Sequence, residues 1–244
     1  MFAPSCIAAM KAHALAEFPR ECCGVVVGGQ YQRLANVAAD PMRHFLIPDE
    51  VMRCHEGALD AIVHSHPYRE SDPEEERIMP WPSRADMQAQ LDTAVPWVIV
   101  PTDGRSCSDP VVWGDGVPIA PLVGRSFIHG VQDCYSLVRD FHRLELGIAL
   151  PDFPRDDEWW SKGGNLYLDG FRQAGFVTID PAQARPGDVF FAQVRSPVPN
   201  HAGVLREGSL ILHHLQDRLS RHEPIGPWSR MIVRWVRHEK VFHG

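Results

Sequence analysis

The sequence predicts a two-domain chain of α+β / α/β class: a first domain over residues 1–113, a linker at 114–126 and a second domain over 127–244. Three observations lead there. At roughly 150 residues per domain, 244 residues make one large domain or two small ones. Residues 114–125 (GDGVPIAPLVGR) hold Gly and Pro without hydrophobic periodicity, as an interdomain segment does. The pattern also changes across that segment: strands with interspersed helices come before it, and helices followed by strands come after it.

Taken in order, Ser5 to Phe18 has helical periodicity, with Ile7, Met10, Ala14, Leu15 and Phe18 on one side, Ser5 as N-cap and Pro19 closing it. Cys22 to Val27 reads as a strand ending at Gly28-Gly29, with Gln30 to Ala38 as its return. Asp49 to Leu59 reads as a helix, and Leu59 to His64 as a strand running into Pro67. Residues 68–82 form a polar loop carrying Glu70, Asp72, Glu74, Glu75 and Glu76. Ser83 to Leu91 is helical, and Trp97 to Val100 and Val111 to Trp113 are strands. In the second half, a helix from Cys134 to Leu146 has Asp133 as its cap, Gly147 as its stop and Leu137, Val138, Phe141 and Leu144 as its buried stripe. A second helix is expected over Asn165 to Gln173, ending at Gly175. Strands are expected over Asp188 to Val194, His201 to Arg206, Leu210 to Leu215 and Met231 to Val236.

Composition excludes several classes. The formal charge of −7 lacks the basic footprint of non-specific nucleic-acid binding. An apolar fraction of 44% supports a packed core. No apolar run approaches the ~20 residues of a membrane span, and the N-terminus does not read as a signal peptide. Six Cys are too few for a disulfide scaffold, and a reducing intracellular assembly site fits them best.

The first constellation is His64-Ser65-His66-Pro67, followed by Pro82-Ser83-Arg84-Ala85-Asp86. Residues i and i+2 of a strand share a face, so His64 and His66 offer two imidazoles to one metal. Ser83 and Asp86 share a helix face. Two His and one carboxylate leave a fourth zinc position open, as catalysis requires. A carboxylate outside the metal shell must then take the proton of water, and Glu21 is the candidate. The same residues have ordinary uses: H-x-H is common, and Ser-x-x-Asp is a helix-capping pattern.

Together with Pro19-x-Glu21-x-Cys23-Gly24, these residues resemble the JAMM/MPN metalloprotease motif. The resemblance implies a cytidine-deaminase-like fold and peptide or isopeptide hydrolysis. It implies zinc on His64, His66 and Asp86, with Glu21 as general base and Ser83 polarising the substrate carbonyl. The 15 residues between Pro67 and Ser83 are roughly twice the family's usual spacing.

The second constellation begins at Asp133-Cys134, where a thiol at a helix N-terminus gains thiolate character. A nucleophilic Cys needs a base and an orienting group, and His201, His213 and His214 are available. Hairpin parity leaves the choice open. A three-residue loop at Arg206 to Gly208 pairs His201 with His213, and a two-residue loop at Glu207-Gly208 pairs it with His214.

Asp133-Cys134, Pro186-Gly187-Asp188-Val189 and Asn200-His201-Ala202-Gly203-Val204, twelve residues before His213, resemble the NlpC/P60 cysteine peptidases. That resemblance selects His213. It implies a papain-like fold with Cys134 as nucleophile, His201 as base and His213 as orienting residue. The implied reaction is cleavage of γ-D-glutamyl–diamino-acid bonds in peptidoglycan stem peptides. Tyr135-Ser136 replaces the family's Ser-Gly, and Leu122 stands where an upstream Tyr is usual.

The pairing of both modules is similar to the tail assembly protein K family of lambda-like phages, as are Gly130-x-x-Asp133-Cys134-Tyr135-Ser136, Trp159-Trp160 and Ile211-Leu212-His213-His214-Leu215. It implies a zinc-dependent and thiol-dependent hydrolase of the phage tail tip, with peptidoglycan peptides and other tail-tip proteins as partners. It would reside in the host cytoplasm during assembly and at the virion tail tip or in the periplasm during infection. The competing readings are a non-catalytic tail-tip scaffold with degenerate sites and a deubiquitinase-like isopeptidase.

Overall fold

The computed structural model describes residues 2–55 and 57–241. The chain divides into two compact units, Met1–Pro118 and Ile119–Gly244. Both are mixed α/β, and each is described on its own.

The first unit contains α1 (Pro4–Glu17), β1 (Cys23–Val27), β2 (Gln30–Leu34), α2 (Asp49–Cys54), β3 (Leu59–Pro67), α3 (Arg84–Thr93), β4 (Trp97–Thr102) and β5 (Val111–Trp113). Its sheet has the order β2-β1-β3-β4-β5. β3 and β4 are parallel and the other pairs antiparallel. Parallel neighbours need a crossover, and α3 provides it. Cys6, Met10 and Ala14 of α1 pack on Cys22, Val26, Ala61, Val63, Val98 and Val100. Ala61 and Val63 therefore face α1, and by strand alternation His64 and His66 face the other side.

Three expectations need correction here. α1 is capped at Ala3 rather than Ser5, because Pro4 is already suited to the first helical position, where its missing N–H costs nothing. β2 stops at Leu34 rather than Ala38. There the Asn36 side chain takes over the backbone, accepting from Ala38 N and Leu46 N and donating to Glu21 O and His44 O. α2 ends at Cys54, short of Leu59, ahead of Gly57 with φ +75°. Glu56, inside that expected helix, lies outside the described residues.

The second unit contains α4 (Cys134–Leu146), α5 (Leu166–Gly170), β6 (Phe176–Ile179), β7 (Val189–Ala192), β8 (His201–Arg206), β9 (Leu210–His213), β10 (Arg221–Pro224) and β11 (Ile232–His238). Its antiparallel sheet has the order β10-β9-β8-β7-β11-β6. α4 runs from its Asp133 cap to Gly147, which ends it at φ +66°. Leu137, Val138 and Phe141 of α4 pack on Val189, Phe191, Ala202, Val204 and Leu212. Full burial of each such side chain contributes about 1.5–3 kcal/mol. Leu144 is exposed, so the buried stripe is narrower than expected. α5 covers five residues and not nine, followed by turns up to Gly175. β6 and β10 were not legible in the sequence.

The β8–β9 hairpin takes neither register weighed above. Arg206 pairs with Leu210 and Gly203 with His213, so the loop is Glu207-Gly208-Ser209. Gly208 (φ +69°) and Ser209 (φ +58°) are both left-handed and carry the reversal. His201 and His213 therefore lie on one face as diagonal rather than directly opposed neighbours.

The division at Pro118/Ile119 falls within the 114–126 segment. The end of that segment is tied into the second unit: Gly124 N–H donates to Ser220 O, and Arg125 is buried on Asp140 at 2.5 Å. Asp115, Gly116 and Pro121 are exposed. Limited proteolysis is expected to cut first between Asp115 and Pro121, giving two resistant fragments on a denaturing gel. First cuts within either sheet would contradict the two-unit division.

Candidate functional site

In the first unit, β3 ends where α3 begins, so the strand carries His64 and His66 to the helix terminus carrying Asp86. His64 Nε2 and His66 Nε2 are 3.0 Å apart. Asp86 Oδ1 lies 3.4 Å from His64 Nε2, and Asp86 Oδ2 3.5 Å from His66 Nε2. These donors form a metal-capable group among the described residues. Asp86 is held by a capping box: Ser83 N and Ser83 Oγ donate to Asp86 Oδ2 at 2.8 and 2.7 Å, and Asp86 N donates to Ser83 Oγ. The Ser83 hydroxyl is thus engaged with Asp86 in this geometry.

Met79, in the acidic 68–82 loop, places its carbonyl 2.6 Å from His66 Nδ1. A carbonyl only accepts, so Nδ1 carries the proton and Nε2 presents a lone pair. Phe45 stacks on His64 at 4.4 Å. Burial drives the His64 pKa down to about 3, so its ring is neutral. Burial also works against charge on His66, but Asp86 outweighs it and the net direction is upward. For Asp86, burial is overcome by His64 and His66, which hold the carboxyl well below its usual range. Two neutral-capable imidazole nitrogens facing each other beside an ionised carboxylate fit a cation better than they fit one another.

Glu21 precedes β1 and is buried. The β1–β3 register pairs Cys23 with His64, and Ser65 N donates to Cys22 O. Continuing that register brings Glu21 alongside His66. Burial pushes its carboxyl up to about 7, aided by Asp86 and Asp40 and opposed by His66. A carboxyl titrating near neutrality can both take and return a proton.

In the second unit, Cys134 is the first residue of α4. Its cap is anchored on both oxygens. Asp133 Oδ1 accepts from Ser136 N at 2.9 Å, and Oδ2 accepts from Gly130 N and from Arg155 Nε and Nη2 at 2.9, 2.9 and 2.7 Å. Both partners of the Asp133–Arg155 pair are buried, and breaking such a pair costs about 3–5 kcal/mol. Cys134 Sγ lies 3.1 Å from the Tyr167 hydroxyl.

His201 Nε2 is 3.1 Å from His213 Nδ1. His214 turns away, with Nε2 3.1 Å from Arg218 O and its ring against Phe127. The indole of Trp228 packs on both His201 and His213, at 5.2 and 4.5 Å between centroids. The expected lowering of the Cys134 pKa is not found. Burial, then the Asp133 charge, push the thiol up to about 11 despite Tyr167 and Ala202. Burial, with His213 and His214, holds His201 well below its usual value. At rest, therefore, the Cys134 thiol and the His201 imidazole are each neutral.

Sequence reasoning missed Tyr167, Arg155, Trp228 and Glu223. Tyr167 sits on the short α5, where no periodic signal marks it. Arg155 lies in an irregular segment. Glu223 belongs to β10, whose Arg-His-Glu-Pro sequence has no strand alternation.

The family model for prokaryotic homologs of the JAB domain matches residues 3–109, and the NlpC/P60 family model matches residues 112–237. The chain is 36% identical over 245 residues to the tail tip assembly protein K of Escherichia phage N15, covering 96% of this chain and 95% of that one. It is 38% identical over 184 residues to the tail tip assembly protein K of Escherichia phage lambda, covering 75% and 83%. It is also similar to a solved NLP/P60 family protein of Staphylococcus aureus, at 16% identity and TM-score 0.36, over 48% of this chain and 37% of that one. An NlpC/P60 family protein from Bacillus cereus matches at 16% identity and TM-score 0.34, over 53% and 45%. The chain thus spans less than half the length of each of these two solved proteins. With identity along nearly its whole length and the two domain matches in this order, the chain belongs to the tail tip assembly protein K family, as a JAB-like domain followed by an NlpC/P60 domain.

Proposed function

We propose that the chain is a tail-tip hydrolase with two independent sites, and that its NlpC/P60 unit cleaves γ-D-glutamyl–diamino-acid bonds of peptidoglycan stem peptides. The observation that carries this reading is the 3.1 Å contact of His201 with His213 on the sheet that packs against α4, whose first residue is Cys134. In the reaction, Cys134 Sγ attacks the γ-glutamyl carbonyl carbon while its proton passes to His201. The carbonyl π pair moves to oxygen, towards which the Tyr167 hydroxyl, 3.1 Å from Cys134 Sγ, would donate. Collapse breaks the C–N bond, and His201 gives the proton to the departing amine. Water, deprotonated by His201, then hydrolyses the thioester and restores the thiol.

For the first unit we propose peptide or isopeptide hydrolysis, with His64, His66 and Asp86 as the residues that would hold zinc. Bound there, zinc would supply Lewis acidity towards water and the substrate carbonyl. Glu21 would accept the proton of water and return it to the leaving amine, its carboxyl poised by burial. Ser83 would hold Asp86 in place through the capping box and face the substrate carbonyl. Other tail-tip proteins are the partners this family implies, with assembly in the host cytoplasm and action at the tail tip or in the periplasm. No helix among the described residues is long and apolar enough to cross a membrane.

The two sites separate under chelation. With muropeptides as substrate, 1,10-phenanthroline is expected to leave cleavage unchanged while stripping metal from the protein. Loss of muropeptide cleavage with the chelator would move that activity to the first unit and overturn the assignment.

A further inference from the structure

We propose that Glu223 is a positioning residue for the Cys134–His201 pair, acting through His213 to fix which nitrogen of His201 is free to take the thiol proton. The proposal rests on the thiol-peptidase reading above. Its geometry is a line of contacts that ends in a carboxylate. His201 Nε2 is 3.1 Å from His213 Nδ1, and His213 Nε2 is 3.2 Å from Glu223 Oε2. The second contact is close enough for charge attraction but is not aligned as a hydrogen bond in this geometry.

The negative charge of the carboxylate favours a proton on the His213 nitrogen that faces it at 3.2 Å, so Nε2 carries the hydrogen. His213 Nδ1 is then the acceptor, and His201 Nε2 must carry the hydrogen between them. That leaves His201 Nδ1 as the nitrogen with a free lone pair. One carboxylate thus sets the tautomers of two imidazoles. When His201 takes the proton of Cys134, positive charge appears on the paired rings, and Glu223 faces it. No proton passes to Glu223 itself.

Glu223 is held for this task. Trp228 Nε1 donates to its Oε2 at 3.0 Å, and Arg221 pairs with its Oε1. Arg221 is the cross-strand partner of His213 on β9, and Glu223 lies two residues along on the same face of β10. Among the described residues, the charged and titratable groups around His213 are Glu223 and Arg221 from β10, His201 from β8 and His214, the residue that follows it just past the end of β9. Burial lowers the affinity of His213 for a proton, Glu223 raises it, and Arg221 lowers it. The two neighbours on β10 therefore predict opposite shifts.

The test uses the full chain and the isosteric Glu223→Gln, with Arg221→Gln as the second variant. The titration of the His213 ring nitrogens is followed by 15N NMR, and kcat/KM for muropeptide is measured against pH. Glu223→Gln should move the His213 titration down by about one pH unit, lower kcat/KM about tenfold or more and shift its acid limb to lower pH. Arg221→Gln should move the titration up, which keeps the test decisive if Glu223→Gln fails to fold. A purely structural role would lower activity without moving the acid limb. The NMR readout needs no substrate. A wild-type chain inert on muropeptides but with the opposed shifts would uphold the positioning role and defeat the substrate assignment. An unshifted His213 titration in folded Glu223→Gln, or in Arg221→Gln if Glu223→Gln does not fold, overturns the proposal whatever the cleavage rates.

Discussion

Cys134→Ala is expected to abolish cleavage of γ-D-glutamyl–diamino-acid stem peptides, by at least about a thousandfold in kcat/KM, since removing the nucleophile of a covalent mechanism leaves only binding and electrostatic assistance. Metal content should not change, because Cys134 and the His64–His66–Asp86 group lie in different units. The substitution removes one Sγ contact with Tyr167 and leaves the Asp133 cap with its Arg155 anchor. The melting temperature should therefore fall by no more than a few degrees. Residual cleavage above a tenth of wild type in steady-state assays would remove Cys134 from the mechanism. His214→Ala should be much milder than His213→Ala, because His214 faces Arg218 O rather than His201.

The second large effect is in the first unit. His66→Ala is expected to reduce bound zinc from about one per chain to none, measured by plasma emission after purification without chelators. Binding to the folded state stabilises by about 4 kcal/mol at a thousandfold excess over Kd, so His66→Ala should also lower the first unit's melting temperature. Glu21→Gln should part metal from activity: the carboxyl is buried and feels both His66 and Asp86, yet it is not among the grouped donors. It should keep zinc and lose hydrolysis. Unchanged zinc in His66→Ala would overturn the ligand set.

How much of this was legible in the sequence depends on whether local signals agreed. α4 was readable to the residue, because Asp133, the stripe of Leu137, Val138 and Phe141, and Gly147 all mark one helix. The pairing of Ser83 with Asp86 was readable because Ser-x-x-Asp is a helix-capping signature, and the capping box forms. β2 was overrun because the side chain of Asn36, a tertiary organiser bonded to Glu21 O and His44 O, has no local signature. The hairpin register was missed because Ser209 adopts a left-handed conformation that non-glycine residues seldom take. The chemistry escaped where it sits on weak elements. Tyr167 belongs to a five-residue helix, and Glu223 to an edge strand of polar residues. The electrostatics were least legible: a helix N-terminus favours thiolate, but here burial and the Asp133 charge outweigh it at Cys134.

The most direct test of the account is the identity of the bond cut. Wild-type protein should be incubated with purified diaminopimelate-type peptidoglycan and the released fragments identified by mass. The account predicts fragments ending in D-glutamate on one side and beginning with the diamino acid on the other, with no cleavage of the glycan strand. Intact stem peptides, or scission at another peptide or glycosidic bond, would contradict it.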